Sequence, residues 1–346
     1  MRKILILIFL VLTMTTSVSA LEYTAPQAPE SVEDLMPVET ESFADGLWKI
    51  VKNAISKLRP DLKDGATICL SVIAVSMLVS ILRQMPGNSS VILEITGALA
   101  ISVLLVSSTG AMIKLGTDTV TELSEYGKLL LPVMSGAMAA SGATASSAAL
   151  YAGTAVFDTL LSSLIAKLLV PMVYAFLILS VAAAATGESM VKKLRDLMKW
   201  LMSWSLKTIL YIFTGYIGIT GVVSGSTDAA ALKATKLTIS GMVPLVGGIL
   251  SEASEAVIVG AGVVKSAAGV YGLLAISAIW ISPFLKLGIQ YLLLKLTAVV
   301  CEVFECKLIT DLIGSFSTAM GFLLGMTGSV CFLLLVSTVC FMRGVG

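Results

Sequence analysis

The chain has 346 residues, 57% of them hydrophobic and only 13% charged, with a formal net charge of +1 and a mean hydropathy of +0.96. A soluble domain carries roughly 25% charged residues, so this composition indicates an all-α polytopic membrane protein, a helical bundle in which every backbone polar group is satisfied internally. The balanced charge and the lack of a basic tail leave no footprint for nucleic acid, and the absence of histidine removes a Ser-His triad, imidazole metal ligands and histidine proton relays.

Residues 1–20 read as a secretory signal: Arg2 and Lys3, a short apolar core from Ile4 to Leu12, and small residues at Val18-Ser19-Ala20. Cleavage after Ala20 would leave residue 21 onward outside the cytoplasm. Leu21–Asp45 is acidic and proline-bearing, too polar to fold alone, and is expected to be a mobile extracytoplasmic arm. Leu47–Arg59 is helical by pattern, with Leu47, Val51, Ala54, Ile55 and Leu58 on one face and four basic residues elsewhere. That suits either the lipid interface or a partner. Residues 21–60 therefore form the arm and its amphipathic helix.

Residues 61–128 are expected to form a transmembrane hairpin. Its spans are Gly65–Leu82 and Val91–Ile113, joined by a short Pro- and Gly-bearing turn, with the polar stretch Lys114–Lys128 outside. From Leu129 small residues dominate, which lets helices approach closely in lipid; the stretch could instead be a re-entrant pair of half-helices. Leu168–Ala185 is a clearer span. Gly187–Lys207 holds Lys192, Lys193, Arg195, Lys199 and Lys207 beside Trp200 and Trp204, which predicts a cytoplasmic, interface-lying helix. Thr208–Val223 spans next and Ser224–Ser240 is polar. Further on come a span at Ala267–Leu287, an amphipathic segment at Ile289–Asp311 and a last span at about Ser317–Phe341.

Between them lies Ile239–Lys265, apolar and of membrane length but broken by Pro244, Gly247 and Gly248 and carrying Glu252 and Glu255. Carboxylates at membrane depth are costly and mark functional sites by default; a solvated hairpin is the bland alternative. The two glutamates are three apart and share a helical face, which suits proton or cation handling, or a hydrogen bond to a neighbouring segment. Asp158, Lys167 and Lys265 are possible counter-charges, although for a lone charge snorkelling to the interface is the ordinary role.

The same segment exposes a duplication. Pro132 and Pro171 are separated by the same 39 residues as Pro244 and Pro283, at an offset of 112 that also matches Gly136 with Gly248 and Leu161 with Leu273. Each half ends with an Asp-Leu pair, at Asp196 and Asp311, before a glycine-bearing span. The repeats cover 129–227 and 228–346, and a site at their boundary would be typical of membrane pathways. The second half would repeat the sense of the first if 241–264 is re-entrant, placing the C-terminus outside. A full crossing there would invert it.

The cysteines, Cys69, Cys301, Cys306, Cys331 and Cys340, have no framework spacing and read as buried apolar groups. No nucleotide-binding loop is present, and no metal, cofactor or catalytic residue is expected.

The run Ser240–Val257, SGMVPLVGGILSEASEAV, together with Leu130–Gly142, the signal-like start, the acidic arm and the basic tryptophan-bearing helix, resembles the stage III sporulation protein AE family. The resemblance implies a permease-like subunit in the mother-cell membrane around the forespore. There it would belong to a feeding-tube channel with ring-forming partners and a separate cytoplasmic ATPase, needed for late forespore gene expression. A non-conducting scaffold of that complex and a free-standing ion-coupled transporter are the competing readings.

Overall fold

The computed structural model describes residues 26–37, 42–85, 90–140, 144–219 and 267–344. Their regular elements are all helical. A 3-10 turn at Glu30–Leu35 precedes α1 (Phe43–Lys57) and α2 (Arg59–Arg83). The long α3 (Ser90–Ala140) is followed by α4 (Thr144–Leu164), a π turn at Ile165–Leu169 and α5 (Val170–Thr186). Then come α6 (Ser189–Ile219), α7 (Ala267–Glu302) and α8 (Lys307–Gly344).

Local chemistry sets the boundaries. The Ser42 hydroxyl accepts the Asp45 N–H and caps α1. Pro171 lacks an N–H and its ring crowds the carbonyl four residues back; the π turn just ahead of it gives the backbone the slack to continue from α4 into α5. Gly187 ends α5 at φ 69°, donating its N–H to the Ala183 carbonyl. Glu305, at φ 57°, closes the turn between α7 and α8.

Among the described residues, five segments are long and apolar enough to cross a membrane: Arg59–Arg83, Ser90–Met138, Ser147–Thr186, Gly269–Glu302 and Lys307–Met342. The bundle is built around α8. Its apolar window is 94% buried inside the protein, whereas that of α2 is 28% buried. α3, α4, α5, α6 and α7 all pack on α8. α3 runs beside it in the same sense, with Gly116 against Leu323 and Gly127 against Leu334. A β-carbon on Gly127 would lie 2.6 Å from the Leu334 methyl, so the missing side chain is what lets these two helices close. α7 runs antiparallel to α8, and the Ser317 hydroxyl bonds the Tyr291 carbonyl.

The helix pairs α4–α5/α6 and α7/α8 share one sense. Asp158 of α4 meets Ser124 of α3 and Ser147 meets Ser135, so α4 is antiparallel to α3. α7 is too, with Gly272 at Leu130 and Gln290 at Ser108. Phe213 of α6 stacks edge-on against Phe332 of α8. The start of α3 and the ends of α2, α5 and α7 therefore gather at one end of the bundle.

Several expectations change. Lys114–Lys128, expected as a polar stretch outside, is the middle of α3, which at 51 residues is about 76 Å long. That exceeds a hydrocarbon core of about 30 Å, so a polar stretch can stand outside and stay helical. The small-residue stretch from Leu129 forms the last turns of α3 and the first of α4. Ile289–Asp311 is split between α7, a turn and α8. The basic segment from Ser189 and the described part of Thr208–Val223 are one helix. The described part of the arm is docked, not mobile: Val32 and Leu35 are buried, the Ala28 N–H donates to the Tyr271 hydroxyl, Tyr126 donates to the Pro26 carbonyl, and Ser31 bonds Glu122. α1 buries Phe43, Ile50 and Ala54 and packs on α7, while Ile55 and Trp48 stay exposed.

Candidate functional site

Of the residues singled out in the sequence, Pro244, Gly247, Gly248, Glu252 and Glu255 lie outside the described residues. The first-half counterparts of Pro244 and Gly248 are on α3, where Pro132 is exposed and Gly136 half-buried. Pro132 has no N–H for the Lys128 carbonyl. Beside Gly136, Ser135 pairs with Ser147 of α4 at 2.8 Å, and the Ser147 hydroxyl also reaches the Ser135 carbonyl at 2.6 Å.

This serine pair opens a polar seam. Further along α4, Thr154 donates to Ser337 of α8 at 3.0 Å. One turn beyond, Asp158 accepts the Ser124 hydroxyl of α3 at 2.7 Å. Ser147, Thr154 and Asp158 stand seven and four residues apart, so they share one face of the helix and extend about 16 Å along it. Asp158 is 2% exposed, and its second carboxylate oxygen has no hydrogen-bond partner. Leaving such an atom dry costs about 1–3 kcal/mol, more when it is charged. Asp158 therefore does not snorkel; it faces the meeting of α3, α4 and α8. Lys167, by contrast, is exposed. The signal that could have singled out Asp158 is the Ser147, Thr154, Asp158 spacing, which sequence reading left inside an undifferentiated run of small residues.

Two further polar clusters lie at the end of the bundle where α2, α5 and α7 finish. Glu94 is 8% exposed and accepts the Leu308 N–H at 2.7 Å, placing a carboxylate at the positive N-terminus of α8. Arg83 approaches Glu94 at 3.9 Å and donates to the Glu305 carbonyl at 2.9 Å. This clasp is structural, tying the first helix pair to the last. The other cluster is a cavity of about 300 Å³ lined by α6, α7 and α8 with Phe176 of α5, and Asp196 and Asp311 both line it. The duplication had marked both positions. Among the described residues no group of side chains has the makeup of a metal site, and all five cysteines are buried and outside any disulfide.

Among the described residues, four long apolar helical segments around a buried fifth, with a buried acid at a helix junction, define an α-helical multi-pass membrane protein. The family model of stage III sporulation protein AE matches residues 31–344, and the chain belongs to that family. It is similar to "Stage III sporulation protein AE" of Bacillus subtilis (strain 168), with 23% identity over 200 residues covering 58% of this chain and 50% of that protein. The match thus spans about half the length of that relative. No solved structure matches. Membership gives the protein a sporulation-related role, in a family not known for enzymes.

Proposed function

We propose that the protein is a permease-like membrane subunit of the channel complex that links mother cell and forespore and sustains late forespore gene expression. The observation that carries this reading is the seam ending at Asp158. A scaffold gains nothing from a buried acid at a three-helix junction with one oxygen unpaired by protein, whereas a pathway for polar cargo or ions needs such groups, and intramembrane acids mark pathways by default. In this reading 129–227 and 228–346 are duplicated halves of one sense, and Glu252 and Glu255 of the second half supply its acids. The basic α6 end faces the mother-cell cytoplasm, and the mature N-terminus faces the space between the membranes. Ring-forming subunits and a separate cytoplasmic ATPase are the partners.

The test is forespore-specific gene expression in cells carrying Asp158→Asn, and separately Glu252→Gln with Glu255→Gln, with the amount of protein in the membrane measured alongside. A loss of tenfold or more at normal protein levels is expected. Full expression in both strains would reduce the protein to a scaffold.

A further inference from the structure

The cavity at the ends of α6, α7 and α8 has a charge pattern that the channel reading does not use. Arg195 is satisfied: its guanidinium donates twice to Asp196, at 3.0 and 3.1 Å. Lys199 of α6, Lys295 and Glu302 of α7 and Asp311 of α8 line the same space. Among the described residues none of these four makes an ion pair. Two ammonium groups and two carboxylates share one cavity without closing on each other. Thr310, also in the lining, has a buried hydroxyl with no partner.

The surroundings say what kind of molecule this pattern fits. The cavity lies at the ends of two membrane-length helices, Gly269–Glu302 and Lys307–Met342. One turn along α6, Trp200 and Trp204 are exposed and stacked at 6.1 Å, as aromatic rings are at the headgroup level of a bilayer. On α7 a stripe of exposed apolar residues, Leu292, Leu296 and Val299, continued by Val303 in the turn after it, runs up to the opening, and Val299 belongs to both stripe and lining. A free phosphate would use the lysines but neither the stripe nor the carboxylates.

The geometry points to a binding site for a phospholipid whose headgroup carries both a phosphate and a free ammonium, that is, phosphatidylethanolamine. The phosphate sits between Lys199 and Lys295. The ammonium donates to Glu302 and Asp311, and an acyl chain follows the α7 stripe. Charged pockets between membrane helices are established headgroup sites. Phosphatidylglycerol carries the same phosphate but a neutral diol where the ammonium would stand, so it leaves the two carboxylates without a counter-charge, and phosphatidylcholine has no N–H to donate to them.

The experiment is native mass spectrometry of the purified full chain in detergent, titrated with phosphatidylethanolamine, phosphatidylglycerol or phosphatidylcholine of identical acyl chains. Phosphatidylethanolamine should bind at least tenfold more tightly than either other lipid. Lys199→Gln with Lys295→Gln, and separately Glu302→Gln with Asp311→Asn, should each abolish that preference, and Lys199→Arg with Lys295→Arg should largely restore phosphate-dependent binding. All these side chains are exposed, so the fold should tolerate the changes, and thermal unfolding of each variant checks this. Equal binding of the three lipids, or a preference that survives both double variants, overturns the proposal. So does a variant that keeps its lipid but no longer co-purifies with other membrane proteins from sporulating cells, which would make the cavity a protein-docking site.

Discussion

α2 and α8 are nearly the same helix by hydropathy, 2.3 against 2.1 over their best windows, yet 28% of one window and 94% of the other is buried inside the protein. α2 lies at the rim and presents Leu70, Met77, Leu78 and Ile81 outward. α8 is enclosed, and Phe316, Phe322 and Phe341 on it are fully buried. Lipid and protein interior are equally apolar, so hydropathy reports that a helix leaves water and not which solvent it enters. What separates the two helices is fit. α3 places glycines opposite leucines of α8 at Gly116 and Gly127, and α5 places Phe176 edge-on to Phe322 with centroids 6.1 Å apart.

Breaking that fit should cost far more on α8 than on α2. Phe322→Ala should cost about 3–5 kcal/mol, as expected for a large buried ring, read as a fall in thermal unfolding temperature and in the amount of monodisperse protein recovered. Gly127→Leu should come next, at about 1–3 kcal/mol from overpacking against Leu334. Gly110→Leu is its control, since a β-carbon there meets nothing within 4 Å; equal loss in both would show that helix propensity rather than close approach is being measured. Glu94→Gln should cost about 1–2 kcal/mol by weakening the charge-assisted bond to the Leu308 N–H and leaving Arg83 without its carboxylate. Faster proteolysis at the turn between α7 and α8 would report it. The smallest effect should be at Leu78→Ala on the rim of α2, within about 0.5 kcal/mol. A loss there as large as at Phe322 would mean that α2 is covered by another protein in the complex.

The two ends of the polar seam show how far the sequence could be read. Pro132 and Gly136 stood out through the duplication, and they lie beside the Ser135–Ser147 pair that begins the seam. Asp158, at its other end, could be named only as one lone charge among several. A single acid in an apolar run has the same local pattern whether it reaches the interface or turns inward, and the choice depends on Ser124, 34 residues away. The docked arm was hidden for a similar reason. Val32 and Leu35 are too few to form a core of their own, and their burial depends on α1 and α7 being already side by side.

By itself the sequence determined that the chain crosses a membrane as helices, because long uncharged apolar runs have no other way to satisfy their backbone in lipid. It also determined the family, through the match along residues 31–344. Only the tertiary structure decided that α8 is the centre, that Asp158 faces inward and that Lys199, Lys295, Glu302 and Asp311 share one cavity. Those outcomes depend on which surfaces interlock across more than a hundred residues of chain, and complementarity of shape over that distance leaves no periodic trace in either partner alone.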